Sequence, residues 1–135
     1  GNVGFNPAFL TPGALDAFAR ATTTVVAALD AAVPPGTVAS SPPAVPAIVR
    51  LCAYVHGEWI RIHPFANGNG RTARVWANWI AVRYGLPPFV RIKPRPDDVL
   101  FAGVAEMSMR GDHRPTEAMF ASMLGDALRA TIDRP

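Results

Sequence analysis

The sequence predicts an all-α fold of about five or six helices. Apolar residues recur at intervals of three and four along most of the 135 residues, and no stretch of any length alternates with the period of two that marks a strand. Half of the residues are hydrophobic, and alanine, the strongest helix former, supplies many of them. A chain of this length and composition can build one hydrophobic core, so we expect a single domain over residues 1–135.

The first two helices are predicted on either side of a proline-rich connection. The first begins at Thr11-Pro12, where Thr is a common N-cap and Pro suits the first helical position, and it ends at about residue 32. The second is expected to start at Ser41-Pro42-Pro43 and to end at Ile62 or His63, because Pro64 disfavours helical geometry for the residue before it. Its apolar face is predicted to contain Ile48, Leu51, Cys52, Val55, Trp59 and Ile62, and its opposite face Arg50, Tyr54, Gly57 and Arg61.

Three further helices are predicted in the second half of the chain. One spans Thr72 to Arg83, and another opens at Pro96-Asp97-Asp98 and closes at Arg110-Gly111. The last helix opens at Pro115. Trp59, Trp76 and Trp79 have helical spacing and are expected in the core, where Cys52 is expected to be packed and unreactive.

Charge and cysteine content restrict the class of protein. The net charge is +3, and the arginines are scattered rather than clustered with aromatic residues, so we expect anionic ligands but no nucleic-acid binding. The lone cysteine can form no internal disulfide, which favours a reducing compartment. No run is long enough to span a membrane, and the amino end does not have the pattern of a signal peptide. These features together predict a cytoplasmic protein.

The segment IHPFANGNGRTAR, from Ile62 to Arg74, carries the chemistry. Asn67-Gly68 is a common hairpin turn, but a hairpin needs alternating strands on both sides, and both flanks here have helical period. The segment is therefore predicted to be a loop that leads into the amino end of a helix. The free N–H groups of a helix amino terminus attract anions, and the preceding glycines let a ligand approach the backbone.

Five positions of this loop and helix form a predicted anion cradle, namely Gly68, Asn69, Gly70, Arg71 and Arg74. The two arginines are three residues apart, so both project from the same side of the first helical turn. Their guanidinium groups beside free N–H groups suit a polyphosphate. His63 lies at the other lip of the loop, and histidine is the side chain that most often exchanges protons near neutral pH. The combination predicts phosphate chemistry with His63 as the general base for an attacking hydroxyl.

This segment resembles the motif HPFx[DE]GNGRxxR of the Fic domain family. The downstream stretch FAGVAEMSMRGDHRPTEAMF is also similar to the family's segment before its last helix. The resemblance covers roughly residues 40–125 and implies a Fic fold, a compact helical bundle with the active-site loop between two central helices. Residues 40–125 would form the core of the domain, and residues 1–39 would add an N-terminal helix and the proline-rich connection.

The resemblance implies a protein adenylyltransferase, which transfers AMP from ATP to a Ser, Thr or Tyr hydroxyl of a target protein and releases pyrophosphate. By the same resemblance, His63 deprotonates the hydroxyl, and residues 68–70 hold the phosphates. Arg71 would grip the β-phosphate region and Arg74 the γ-phosphate. Pro64 and Phe65 would be structural anchors of the loop, with Phe65 buried. Members of the family with Lys at the position of Gly70 include a phosphotransferase type that binds the nucleotide in the reverse orientation. Glycine at this position favours AMP transfer.

The sequence departs from the family pattern in three places. Asn67 replaces the Asp or Glu that binds Mg²⁺, and a neutral amide is a weaker ligand, so we expect activity that is reduced or less dependent on Mg²⁺ or Mn²⁺. Only PGTVASS stands where the family usually has a β-hairpin flap for target docking. No Ser or Thr has a Glu four residues later, so the inhibitory motif [ST]xxxE[GN] is absent from this sequence.

Three alternatives remain open at the level of sequence. The enzyme could use another donor, such as UTP, GTP or CDP-choline. The chain could instead be a catalytically silent module that binds a nucleotide or a protein, a reading that Asn67 and the short flap favour. It could also be the toxin half of a toxin–antitoxin pair, with a separate antitoxin-like inhibitor as its partner.

Overall fold

A computed structural model describes residues 10–34, 44–92 and 99–132. Five helices run through these ranges, and none of the described residues forms a strand. The helices are α1 (Thr11–Ala32), α2 (Ala44–Ile62), α3 (Asn69–Arg83), α4 (Val99–Met109) and α5 (Arg114–Ile132). The all-α prediction is therefore confirmed.

Helix α2 is the centre of the bundle, and each of the other four helices packs against it. Five of the six residues predicted on its apolar face are buried, and Trp59 is partly buried. This face and the inner faces of α3, α4 and α5 form one hydrophobic core with residues of α1. Because α2 ends at Ile62, the most central helix of the fold delivers the His63 loop.

Two helix starts differ from the predictions. The N-cap of α1 is Leu10 rather than Thr11, and it makes no side-chain capping bond. Helix α3 begins at Asn69, three residues before the predicted Thr72. It begins early because Gly68 has φ 84° and so makes the sharp turn into the helix in a single residue, a conformation that favours glycine. The predicted starts at residues 41–43 and 96–98 lie outside the described residues.

Gly57 lies on a buried face of α2, not on the exposed face where the sequence placed it. The His113 ring packs directly on its backbone, since a methyl group at position 57 would lie 2.2 Å from His113 Nδ1. The helical period assigned Gly57 to the polar side because Arg50, Tyr54 and Arg61 are there. It could not show that the loop after α4 returns to cover this position.

A polar contact fixes α1 against α3 at the end of the bundle remote from the loop. Arg83 donates from Nε to Asp30 Oδ1 at 3.0 Å and from Nη2 to Oδ2 at 2.5 Å. The Tyr84 hydroxyl donates to Asp30 Oδ1 at 2.9 Å. The hydrogen bonds from Arg83 lower the pKa of the Asp30 carboxyl, so the pair is charged at neutral pH.

None of the helices in the described ranges combines the length and apolar character that a membrane span needs.

Candidate functional site

His63 is the first residue after α2, and it turns the chain out of the helix. Its backbone N–H still donates to Trp59 O at 2.9 Å, but its φ is 54°, in the left-handed region. Histidine is among the few non-glycine residues that adopt this conformation, and Pro64 prevents the helix from continuing. The predicted helix end is thus confirmed. His63 is partly exposed, and its Nδ1 lies 3.3 Å from Ile60 O.

This contact selects a tautomer of the His63 ring. A backbone carbonyl can only accept a hydrogen bond, so the contact with Ile60 O favours the proton on Nδ1. Nε2 then has the free lone pair and is the atom able to take a proton from a ligand. The last turn of α2 therefore holds the His63 ring through Nδ1.

The Asn69 side chain closes the loop that follows His63. Asn69 Oδ1 accepts from Phe65 N at 3.0 Å, and Asn69 Nδ2 donates to Phe65 O at 2.6 Å. Asn69 is 5% exposed, so these bonds are shielded from water. Asn69 was predicted to help hold the phosphates. Both polar groups of its side chain bind the backbone of the loop. A ligand in the loop would meet the N–H of Asn69 rather than its amide group.

Phe65 anchors the loop through its backbone and not through a buried ring. Its side chain is 50% exposed, so the prediction that it is buried is wrong. The ring meets Trp59 edge-on, with centroids 5.7 Å apart, and the rest of it faces outwards. The sequence could not show this exposure. A large side chain in a short loop at the end of a helix can pack against that helix on one side only. Pro64, the other predicted anchor, is partly buried.

The amino end of α3 presents backbone donors toward the loop. Gly68 O accepts the first helical bond, from Thr72 N at 2.9 Å. The N–H groups of residues 69–71 therefore have no acceptor within the helix, and the positive end of the helix dipole lies beside them. No acidic side chain stands in the first turn to satisfy or neutralise them. This is the arrangement of a helix that binds an anion at its amino end.

The two arginines of the motif have different environments. Arg71 is exposed, and its Nη2 would lie 3.6 Å from a methyl group at Gly68. Arg74 is 5% exposed and donates from Nη2 to Ile92 O at 3.1 Å, while its Nη1 would lie 3.2 Å from a methyl group at Gly70. Both guanidinium groups thus reach back to the loop glycines. Arg71 can move toward a ligand, whereas Arg74 is held inside the protein.

The loop residues do not form a metal site of their own. Asn67 is exposed, and it offers one neutral amide oxygen where the resemblance leads one to expect a carboxylate. Across the described residues, no three His, Cys, Asp or Glu side chains come together in a way that could hold a metal ion. The loop would therefore offer a divalent cation the neutral Asn67 oxygen and no carboxylate.

Behind the loop lies a polar network that sequence reasoning missed. Glu58, one and a half turns before His63, accepts from Arg61 Nη2 at 2.8 Å and is 2.7 Å from His113 Nε2. His113 Nδ1 is 3.2 Å from Ser108 Oγ, which is 3.1 Å from Thr116 Oγ1. Burial alone would raise the pKa of Glu58, but the hydrogen bonds from His113 and Arg61 lower it to about 2. The network joins the last turns of α2 to the turn between α4 and α5.

A second missed residue, Asn78, pins the segment after α3. Its Nδ2 donates to Val90 O at 2.7 Å, and its Oδ1 accepts from Val90 N at 3.0 Å. Arg74 holds Ile92 two residues further on. The segment that ends at Ile92 therefore lies along α3 and beside Arg74. A single Asn on a helix carries no sequence signal for this contact, because the partners are backbone groups twelve residues away.

Comparison with known proteins agrees with these observations. A model of the Fic/DOC family matches residues 6–81, which is more than half of the chain and includes α1, α2 and the loop. The proteins named protein adenylyltransferase Fic from Drosophila persimilis and Culex quinquefasciatus are 34% and 33% identical over 85 residues. Each alignment covers 63% of this chain and 16% of the relative, so the chain spans about a sixth of the length of these relatives. No solved structure matches the chain. The chain therefore belongs to the Fic/DOC family.

Proposed function

We propose that this domain is a protein adenylyltransferase that transfers AMP from ATP to a Ser, Thr or Tyr hydroxyl of a target protein. The observation that carries the proposal is the arrangement of the loop, where the His63 ring and the open amino end of α3 flank the same few residues. Membership of the Fic/DOC family and the names of its adenylyltransferase relatives support the same activity.

The proposed step is a single displacement at the α-phosphorus of ATP. His63 Nε2 takes the proton of the target hydroxyl, and the hydroxyl oxygen forms a bond to the α-phosphorus. The bond from that phosphorus to the bridging oxygen of the β-phosphate breaks, and pyrophosphate leaves with its electron pair. The α3 amino end and Arg71 stabilise the negative charge on the phosphate oxygens, because N–H groups and a guanidinium placed in advance need no reorganisation.

Arg74 has a supporting part in this proposal. Its Nη2 bond to Ile92 O fixes the guanidinium at the back of the loop, where its Nη1 is beside Gly70. A γ-phosphate that enters between Gly70 and the segment ending at Ile92 would meet this fixed charge. The space between Gly70 and Arg74 is small, because the methyl group of an alanine at position 70 would lie 3.2 Å from Arg74 Nη1.

Divalent cations enter the proposal as part of the nucleotide substrate. Mg²⁺ or Mn²⁺ bound to ATP neutralises phosphate charge, and Asn67 can add one neutral ligand. A carboxylate at this position would hold the ion more firmly because Mg²⁺ prefers charged oxygen ligands. We therefore expect a transferase that works with the nucleotide-bound ion but requires more of it than a relative with an acidic residue would.

The first test is a labelling assay with α-labelled ATP and cell lysate, because the target is unknown. Wild-type protein should label at least one protein, and His63→Ala should label it about 100-fold more slowly, the usual contribution of a general base. Asn67→Asp should increase labelling at limiting Mg²⁺. Ala66→Asp is the matched control, because it adds the same charge at the neighbouring exposed position of the loop. Labelling by His63→Ala at close to the wild-type rate would contradict the proposal.

A second candidate function is a nucleotide-binding or protein-binding module without transferase activity. The specific observation in its favour is the neutral, exposed Asn67 in a loop without a carboxylate. It predicts ATP binding by calorimetry together with no label from wild type or from Asn67→Asp. Label with UTP, GTP or CDP-choline instead of ATP would indicate a transferase with another donor.

We also propose that a protein partner controls the transferase and that the protein is cytoplasmic, where ATP is available. We propose a separate antitoxin-like inhibitor as that partner. Growth arrest on expression that is relieved by His63→Ala would support a toxin role. Arrest that is equally strong in His63→Ala would contradict it.

A further inference from the structure

Trp59 lies where the two halves of the candidate site meet. It is on α2, four residues before His63, and its backbone oxygen accepts a hydrogen bond from the His63 N–H at 2.9 Å. Its ring meets the Phe65 ring edge-on, with centroids 5.7 Å apart and planes at 64°. This is the one ring contact of Phe65 among the residues that the structure describes. Trp59 therefore holds the histidine through its backbone and the loop after it through its side chain.

Two other rings hold the Trp59 side chain in place. Phe18 of α1 packs on it edge-to-face with centroids 5.7 Å apart, and Trp76 of α3 lies 6.0 Å away. Phe18 and Trp76 contact each other at 5.3 Å, so rings from three helices form one cluster, which rests on the hydrophobic core. Such aromatic pairs add to the free energy gained from burial alone. The Trp59 ring therefore cannot swing away from Phe65 unless the packing of α1 or α3 changes.

Trp79 lies at the end of this row of rings. It meets Trp76 at 5.9 Å but is 47% exposed, so the prediction that it lies in the core is wrong. Helical spacing placed it with the other tryptophans, but its ring lies on the outer side of α3, where the Arg83 guanidinium is 5.5 Å from its centroid. Among the described residues it has no ring contact with Trp59 or Phe65. Trp79 is therefore a tryptophan of the same cluster that does not reach the loop.

The two halves of the site are attached to different helices. His63 directly follows α2, and its backbone N–H continues the last turn of that helix. Phe65 is instead tied to α3, because Asn69 bonds both its N–H and its C=O. The contact between the Trp59 and Phe65 rings therefore joins the half that carries the histidine to the half that carries the anion cradle. A smaller side chain at position 59 would leave the two halves free to shift against each other.

We propose that Trp59 is a positioning residue that sets the separation between His63 and the anion cradle at the amino end of α3. The inference rests on the proposed AMP transfer, in which the histidine acts on the target hydroxyl while the cradle holds ATP. The α3 half alone binds the nucleotide, but transfer needs the histidine at a fixed distance from the α-phosphate. Loss of the Trp59 ring should therefore slow transfer far more than it weakens ATP binding.

Amide hydrogen exchange of the full chain tests the position of the loop without ATP or a target. The Phe65 N–H donates to Asn69 Oδ1 in a shielded bond. The Val90 N–H donates to Asn78 Oδ1 in the same way farther along α3, so it serves as the internal control. In Trp59→Leu the protection of the residue 65 amide should fall about tenfold, and that of Val90 should stay within about threefold of wild type. An equal fall at both amides would overturn the proposal, because Trp59 would then only stabilise the fold.

Phe65→Ala removes the same ring contact from its exposed side, so it tests the proposal without opening the core. It should lower the protection of the residue 65 amide as Trp59→Leu does, and the double variant should lower it no further. Trp59→Phe keeps an aromatic ring on α2 and should lose less protection than Trp59→Leu. Trp79→Leu is the matched loss of a tryptophan that does not reach the loop, and it should stay within about threefold of wild type. Wild-type protection of the residue 65 amide in Phe65→Ala would contradict the proposal.

Transfer and nucleotide binding are then measured separately. In Trp59→Leu, labelling with α-labelled ATP should slow by about 30- to 100-fold, because a small displacement of catalytic groups has effects of this size. The Kd for ATP, measured by calorimetry, should stay within about threefold of wild type. An ATP affinity that falls as far as the rate of transfer would overturn the proposal, because Trp59 would then support the cradle itself. If the wild-type protein labels no target, the proposed transferase fails, and the exchange result alone decides whether Trp59 positions the loop.

Discussion

Asn69 holds the backbone of Phe65 by both its N–H and its C=O, and so the first residue of α3 fixes the shape of the loop between His63 and the helix. The loop is thereby a closed ring of five residues rather than a free connection. The histidine that would take a proton lies two residues before this ring, and the helix end that would receive the phosphates begins at its last residue, Asn69. A change in this ring alters the distance between the two halves of the site.

We expect Asn69→Ala to damage activity more than stability. Loss of two shielded hydrogen bonds should lower the free energy of unfolding by about 1–3 kcal/mol. AMP transfer should fall by about 100-fold, because a small displacement of catalytic groups has effects of this size. Urea unfolding and the labelling assay measure the two effects separately.

Asn78→Ala is the control for that variant, since Asn78 grips Val90 by the same two bonds at the other end of α3. It should lose a similar amount of stability but no more than about tenfold in AMP transfer, because it touches the site only through the segment that ends at Ile92. Equal loss of activity in both variants would show that the bonds of Asn69 are only structural.

Gly57 is expected to tolerate no side chain, because His113 occupies the space. A Cβ at this position would lie 2.2 Å from His113 Nδ1 and 2.7 Å from Ser108 Oγ, so Gly57→Ala must displace the ring and break its contact with Glu58. We expect a loss of about 2–4 kcal/mol in the free energy of unfolding. Thermal and urea unfolding would measure it.

Gly103→Ala is the matched control in α4, where nothing lies within 4 Å of the added methyl group. Alanine is the better helix former, so this variant should be more stable by about 0.5–1 kcal/mol. The double variant Gly57→Ala with His113→Ala should be more stable than the sum of the two single effects predicts, because the clash is then removed. Strict additivity would contradict the proposed contact.

Periodicity in the sequence predicted most of the fold but little of what joins its helices. The apolar stripe of α2 was right at Ile48, Leu51, Cys52, Val55 and Ile62, because helical spacing alone decides which residues share a face. The end of α2 was right because Pro64 acts locally. The early start of α3 was missed, since a single left-handed glycine can turn the chain in fewer residues than the pattern shows.

The site was predictable only in its short-range part. His63, the glycines and the arginines lie within twelve residues, and the loop brings them together without help from the rest of the chain. The Glu58–His113 contact spans 55 residues, so only the packing of the α4–α5 turn on α2 creates it. The burial of Arg74 has the same origin, because it depends on the return of the segment at Ile92. These contacts are tertiary and leave no periodic signal.

The stability of this protein should fall in mild acid because of His56. The ring is fully buried between Phe101 and Phe120, and neither of its nitrogens has a hydrogen-bond partner among the described residues. Burial, followed by the charges of Arg74 and His113, lowers the pKa of His56 from 6.5 to about 3. The unfolded chain therefore binds a proton below pH 6.5 that the folded protein does not bind until about pH 3.

The sign of the effect follows from this difference. A depressed folded-state pKa contributes stability that is present above the unfolded pKa and is lost as the pH falls. At about pH 5 the loss should be about 2 kcal/mol relative to about pH 7.5, since each pKa unit corresponds to about 1.4 kcal/mol. Glu58, with its pKa lowered to about 2, adds a further loss only at more acidic pH.

Replacement of the ring isolates the contribution of His56. We expect His56→Phe, with His56→Leu as a second variant of smaller volume, to lose about 2 kcal/mol less than wild type between about pH 7.5 and pH 5. Urea unfolding at the two pH values measures this difference, and the contributions of the other titratable groups cancel in the comparison. Identical pH dependence in wild type and in a folded variant would show that the buried ring does not resist protonation.

Cys52 should be unreactive in the folded protein. It is fully buried in the core, its Sγ lies 3.4 Å from Ala77 O, and burial raises the pKa of the thiol to about 12. Thiolates are the reactive form, so a thiol reagent has to wait for the core to open. We expect native protein to react at least about 100-fold more slowly than protein in urea, with a rate that rises as stability is lowered.

Cys52→Ala with Ala130→Cys, which moves the thiol to an exposed position of α5, should react in the folded state at nearly the unfolded rate. Reaction of native Cys52 within about fivefold of the unfolded rate would mean that α2 and α3 separate far more often than a cooperative core allows.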